Sequence, residues 1–295
     1  MSLNIYEFFG FDPRDNSKEA LKFREKRECP FVVGKCIKTF NDGQESGACS
    51  VKPVKGKPVI CCPQRLYGDN YKILKDVAES AFNSTFPLVS SKEAISRSEK
   101  EKVVAVFGKG WGKELRLPSR KGSYFVDWIL AVIENKKLKE FIAIEVQTID
   151  TTGNYRNERD AYIEGKDFSG ISTAGLNWEN VSKRILPQII YKGHVLRRES
   201  LCSKGMYFIC PKPVYEHILE RLGGKLLDYI PHPGSLTFVQ YDLWPEIETG
   251  KIRNLANCGE QTTTVDQVAN AFVNPSNLPP ANIYADAIVK ALEKP

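Results

Sequence analysis

Nothing in this chain approaches the run of about 18 apolar residues that a membrane-spanning helix needs. The opening stretch, MSLNIYEFFGFDPRDN, has no basic segment leading into an apolar one, so a secretory leader is not expected. A glycine-rich phosphate loop is also missing. Neither G-x-G-x-x-G nor G-K-[ST] occurs, which leaves nucleotide hydrolysis without support. Histidine is scarce: His194, His217 and His232 stand apart, with no H-x-H or H-E-x-x-H spacing. A zinc hydrolase is therefore not indicated, and each histidine is expected to be structural. No serine or cysteine stands in the setting of a nucleophile elbow.

With 42% hydrophobic and 26% charged residues over 295 positions, the chain can bury a sizeable core and reads as globular. Its net charge of +6 leans mildly towards anionic partners, nucleic acid among them. The order of patterns is mixed α/β. SKEALKFREKRE reads as a helix capped by Ser17, and YKILKDVAESA as a second helix. SSKEAISRSEKEK reads as a polar helix or linker, and VVAVFG as a buried strand. Further on, ILPQIIY and VYEHILERL read as helices, KGMYFICP and SLTFVQYDLW as strands, and YADAIVKALEK as a closing helix.

The most informative stretch is SYFVDWILAVIENKKLKEFIAIEVQTID. Tyr124 to Ile133 and Glu140 to Thr148 are β-branched and aromatic runs separated by the charged segment ENKKLKE, which predicts an antiparallel hairpin. A turn centred near Lys136 sets Asp127 opposite Glu145. Because side chains alternate faces, Glu145 and Gln147 share one face while Val146 takes the other. Three polar groups then converge, with opposed β-carbons roughly 5 Å apart. Two unpaired carboxylates in an apolar sheet repel each other and resist ionisation. A divalent cation removes that penalty, and hard oxygen ligands with room for water suit Mg²⁺. The competing reading is a solvated strand face, or pairing with nearby lysines. The spacing D-x17-E-x-Q is similar to the PD-(D/E)xK nuclease signature, with Gln147 where lysine is expected.

Cysteine is concentrated early, with five of eight between residues 28 and 66. Cys29, Cys36 and Cys49, followed by Cys61 or Cys62, lie among glycines and prolines in a segment poor in apolar residues. Four thiolates there would form a tetrahedral site for zinc or iron and staple a segment with little core of its own. Cys202, Cys210 and Cys258 are expected to be ordinary buried thiols.

FVDWILAVIE and IAIEVQTIDTTGNY together resemble the catalytic segment of the NotI family of type II restriction endonucleases, a D…E-x-Q variant of PD-(D/E)xK. ECPFVVGKCIK, GACSV and VICCPQRL resemble that family's cysteine-ligated metal module, in the same order. EFFG and GKELRL extend the likeness from about residue 5 to 165. The resemblance implies a PD-(D/E)xK-like α/β core, a mixed sheet flanked by helices, over 71–295. It implies a small N-terminal Cys₄ module over 1–70. It implies Mg²⁺-dependent, sequence-specific hydrolysis of double-stranded DNA at a GC-rich palindrome. Asp127 and Glu145 would hold Mg²⁺, with Gln147 and Glu114 beside them. Cys29, Cys36, Cys49 and Cys62 would hold one structural iron, with zinc as the alternative. A homodimer, a companion DNA methyltransferase and a bacterial or archaeal cytoplasmic setting follow from the same likeness, with no membrane partner. In SKRILPQIIYKGHVLRR, Lys183, Arg184, Lys192, Arg197 and Arg198 are five positive residues with no acid between them, a candidate phosphate track or else a solvated helix face. A non-catalytic DNA-binding regulator and a nuclease of repair type without strict site specificity are the alternatives.

Overall fold

The apolar runs assemble into one central sheet of seven strands, approached from both faces by helices. The computed structural model describes residues 2–293 apart from 112, 116, 120 and 121, and describes only the backbone over 117–119 and 122–124. Among the described residues no helix is long and apolar enough to cross a membrane.

The chain opens with β1 (Leu3–Phe8) and α1 (Lys18–Lys26). Ser17 caps α1 as expected, its Oγ accepting from Ala20 N. β2 (Ala48–Pro53) and β3 (Val59–Ile60) complete a small antiparallel sheet with β1. A 3₁₀ turn, Pro63–Tyr67, leads into α2 (Gly68–Phe82). Next come β4 (Leu88–Ser90), the single-turn α3 (Ala94–Arg97) and β5 (Val103–Gly108). β6 (Leu117–Ser119) and β7 (Gly122–Tyr124) pair with each other. β8 (Trp128–Glu134) and β9 (Lys137–Val146) are the hairpin. After β10 (Thr151–Thr152), α4 (Arg156–Ile163) and β11 (Gly175–Leu176), a π turn at Val181–Ile185 runs into α5 (Leu186–Leu196). β12 (Met206–Pro211), α6 (Lys212–Arg221), β13 (Ser235–Leu243), β14 (Leu255–Thr264), α7 (Val265–Val273) and α8 (Ile283–Leu292) close the chain.

The central sheet runs β14-β13-β12-β9-β8-β5-β4. It is mixed: β12 is parallel to both β9 and β13, β4 is parallel to β5, and the remaining pairs are antiparallel. Alternation along β9 decides which side chain meets which helix. Ile142, Ile144 and Val146 pack with Ile73, Leu74 and Val77 of α2 on one face. Ala143 packs with Leu186 and Ile189 of α5 on the other. Glu145, in phase with Ala143, therefore faces α5.

The hairpin keeps the expected register but not the expected limits. Trp128 faces Ile144 and Ile129 faces Ala143, which carries Asp127 to a position opposite Glu145. The turn is only Asn135–Lys136, at φ +49° and +61°, the left-handed pair of a tight hairpin. Lys137–Lys139, expected as turn, extend the ladder, with one extra residue in β9 as a bulge. β8 starts at Trp128, not Tyr124, because Asp127 bends the chain and its Oδ2 accepts from Val146 N at 2.8 Å, replacing a backbone partner. Two other expectations change. SSKEAISRSEKEK holds one helical turn, and Cys258 is exposed on β14, a polar strand at the sheet edge that no apolar run announces.

Glu158 of α4 ties the small sheet to the rest. Its Oε1 accepts from Ile5 N at 3.0 Å, Asn4 Nδ2 at 3.2 Å and Tyr162 OH at 3.2 Å, while Oε2 has no hydrogen-bond partner among the described residues. Burial raises its carboxyl above the usual range, and those bonds oppose the rise only partly. A carboxyl raised on folding contributes stability below its unfolded pKa and loses it as pH rises through the folded value. Glu158→Gln should therefore raise the melting temperature by about 2 °C or more at pH 8, with the gain vanishing at pH 4. Thermal melts at the two pH values check this; an equal shift at both would contradict it.

Candidate active site

Asp127 ends the bend ahead of β8 and Glu145 stands one residue from the end of β9. Both are on the face turned towards α5. Glu145 is 2% exposed and Asp127 half-buried. Burial raises the Asp127 carboxyl, opposed by the Val146 N–H and by the charge of Lys192 and reinforced by that of Glu114. Glu145 is raised by burial first and by Asp127 second, and lowered by Lys192 and the Asp127 backbone. The charge of Asp127 thus makes ionisation of Glu145 harder, as a second carboxylate in one poorly solvated place does.

A cleft of about 960 Å³ opens beside the pair, with Asp127, Gln147, Glu114, Tyr67 and Trp128 on its wall. Gln147 follows β9 and is fixed through its backbone N–H, which donates to Ile209 O at 3.0 Å. The loop from Cys29 to Lys35 also lines the cleft. The cysteine segment and the acids therefore border one space, although more than 60 residues separate them in the chain.

Four sequence-predicted acceptors and acids (Asp127, Glu145, Gln147 and Glu114) are brought together. The five basic residues are not. Lys183 pairs with Glu179 at 2.5 Å, Arg184 with Asp150 at 3.3 Å and Arg197 with Asp266 at 2.8 Å, while Arg198 is exposed beyond α5. Acids absent from the stretch itself thus meet Lys183, Arg184 and Arg197 at the surface. Exposed pairs of this kind are weak and do not prevent a phosphate from competing. Lys192 departs furthest from expectation. Its Nζ donates to Glu145 Oε1 at 2.5 Å, inside the acid site. No spacing in the sequence links residue 192 to 145. The signal that could have found it is the facing phase of β9 against α5.

The cysteines gather without closing on one another. The Cys49 thiol is raised by burial and then by the charges of Cys62, Glu7, Cys36 and Cys29, so the other three thiols all lie within electrostatic reach of Cys49. Cys61 points elsewhere, packing with Leu3, Ile5 and Phe8 and donating from Sγ to Ala48 O at 3.7 Å. Among the described residues no three His, Cys, Asp or Glu side chains already form a ligand sphere.

Aromatic rings fix the bend. Trp128 Nε1 donates to Tyr67 OH at 3.1 Å, and Tyr67 and Tyr71 meet the indole edge-on at 5.5 and 5.4 Å. Gly108, opposite Trp128, leaves the room this needs. A Cβ there would collide with the indole and stand 2.7 Å from Asp127 O. Gly108→Ala should therefore cost about 1–3 kcal/mol of stability through displacement of Trp128 and the Asp127 backbone. Denaturant unfolding measures it; an unchanged midpoint would show slack in this strand pair.

No individually curated protein matches the chain. A family profile, restriction endonuclease NotI, matches residues 17–222 and so spans the five early cysteines, the hairpin, Gln147 and α5. The seven-stranded mixed sheet with its flanking helices fits a restriction-endonuclease-like fold. The regulator and the less specific nuclease give way to that match, and the chain belongs to the NotI family of restriction endonucleases, type II enzymes that hydrolyse DNA at specific sequences.

Proposed function

We propose that this endonuclease cuts double-stranded DNA with Mg²⁺ held by Asp127 and Glu145, in a D…E-x-Q version of the PD-(D/E)xK site. The observation that carries the reading is the pair itself: two carboxylates on one sheet face, each raised by burial and Glu145 raised further by Asp127, beside an open cleft. Such a pair suits a hard divalent cation that keeps waters and needs only one or two carboxylates. Mg²⁺ bound there supplies Lewis acidity towards water and phosphate. Gln147 carries no charge and titrates nowhere near neutrality, so it orients the attacking water by hydrogen bonds. Glu114, whose charge already reaches Asp127, adds a third oxygen donor on the same wall. The substrate is a GC-rich palindrome cut by a homodimer, one site per strand, because a two-fold protein matches a two-fold site. A DNA methyltransferase protecting the same sequence is the expected companion.

Cys29, Cys36, Cys49 and Cys62 hold one structural iron or zinc in the same reading. Support comes from the reach of three thiols to Cys49 and from backbone groups of Phe31, Val32 and Gln64 that favour the thiolates of Cys29 and Cys62 against burial. Cys29, Cys36, Cys49 and Cys62 would hold the metal through their thiolates, and Cys29 would thereby anchor the Cys29–Lys35 loop that lines the cleft.

Asp127→Asn and Glu145→Gln should each abolish cleavage of a DNA that the parent cuts into discrete bands. Both should keep binding to the mapped site in Ca²⁺, since each removes a negative charge facing phosphate. Cleavage by Asp127→Asn within tenfold of the parent would end the assignment. For the cysteine site, elemental analysis should find about one iron or zinc per chain, and Cys62→Ser should lose it while Cys61→Ser retains it. Pure, folded protein free of both elements would sink that part.

A further inference from the structure

With Gln147 neutral, β9 and the residues that follow it bring no positive charge beside Asp127 and Glu145, where the phosphate must come to rest. Lys35 and Lys109 line the cleft, and neither has an ion pair with the two acids among the described residues. Phosphodiester hydrolysis adds negative charge to the phosphoryl oxygens as water attacks and the leaving oxygen departs, so a preorganised cation at that point is worth several powers of ten in rate. Helix α5 brings one. Lys192 Nζ lies 2.5 Å from Glu145 Oε1, its side chain 18% exposed, with the ammonium 5.6 Å from the centre of the Phe125 ring that borders the cleft. Its neighbour Gly193 lacks the Cβ that would collide with Val265 of α7, and so lets α5 pack closely against α7. Both acids also feel the charge of Lys192, which ties this side chain electrostatically to the pair. Lys183, Arg184 and Arg197 of the same basic stretch point to other acids on the surface. Lys192 alone of those four turns inward.

We propose that Lys192 is a catalytic residue of this endonuclease: delivered from α5 beside Glu145, its ammonium contacts a non-bridging oxygen of the scissile phosphate and supplies the positive charge that Gln147 cannot. The inference rests on the assignment of Asp127 and Glu145 as the cleavage site. It separates Lys192 from the phosphate-tracking role its neighbours suggest. A tracking lysine strengthens binding and contributes to its salt dependence. A catalytic one changes the cutting step on DNA already bound.

The test uses the full-length protein, a DNA carrying one mapped cleavage site, and three variants: Lys192→Met, Lys192→Arg and the double change Gln147→Lys/Lys192→Met. Methionine keeps the apolar stem but leaves buried Glu145 without its cation, so melting is measured alongside and cleavage is compared at a temperature where parent and variants are all folded. Single-turnover cleavage at saturating DNA should fall about 10²-fold or more in Lys192→Met. Binding in Ca²⁺ should change less than about threefold, with the salt dependence unchanged. Lys192→Arg should retain a tenth or more of the parent's rate. Gln147→Lys should restore at least tenfold of what Lys192→Met lost, because it returns an ammonium to the same phosphate from the strand. The proposal is overturned if Lys192→Met cuts within threefold of the parent. It is also overturned if the loss is wholly in binding with a shallower salt dependence, or if the double variant recovers nothing while folding and binding remain intact. Asp127→Asn runs alongside: an active Asp127→Asn removes the site reading as a whole, whereas an inactive one with an active Lys192→Met removes only the role of Lys192.

Discussion

The repulsion between two carboxylates buried on one face of a hairpin governs this structure. Asp127 and Glu145 can share that space only if positive charge and hydrogen bonds reach them, and several distant elements converge to provide both. The Val146 N–H answers Asp127, and Lys192 of α5 answers Glu145. The bend that presents Asp127 is held by the Trp128 indole, which in turn depends on Tyr67 and on the missing side chain of Gly108. Strand, helix, 3₁₀ turn and glycine are thus all committed to holding two acids in a poorly solvated place, the kind of strained arrangement that clusters at functional sites.

A second buried charge joins the cysteine segment to the sheet. Arg65, three residues after Cys62, gives Nε and Nη2 to both oxygens of Glu7 on β1, and Ser50 Oγ donates to Glu7 Oε2 at 2.8 Å. The same guanidinium donates to Arg253 O at 2.5 Å and lies 4.8 Å from the Phe31 ring, two residues after Cys29. A buried ion pair of this kind contributes little net stability over apolar packing, but loss of one partner costs about 3–5 kcal/mol. Its use here is geometric. It fixes β1, both ends of the cysteine segment and the chain entering β14 to one point, and so keeps the Cys29–Lys35 loop as a wall of the cleft.

Much of this was legible in residue order because it rests on short-range rules. Alternation put Glu145 and Gln147 on one face, and the turn at Asn135–Lys136 set the register that opposes Asp127 to Glu145. The limits of the strands were less legible. Val126 and Phe125 are apolar and read as strand, yet an aspartate whose side chain takes a backbone N–H can end a ladder early. β14 was invisible because LANCGEQTTT carries no apolar run. An edge strand needs only backbone pairing with β13 on one side and can leave its side chains in water.

The sequence by itself determined the acids, the glutamine, the order of the cysteines and, through their motifs, the family. These depend on residue identity and on separations within a hairpin or along one segment. Only the tertiary structure decided which cation serves the acids and which thiol turns away. Lys192 looked like one charge among five on a helix, and became part of the site because β9 presents Glu145 to α5. Cys61 and Cys62 are adjacent, and opposite facing sends the first into the β1 core and the second towards Cys49 and Cys36. In both cases the deciding quantity is the facing of one element against another, set by packing across the whole fold, which no local spacing encodes.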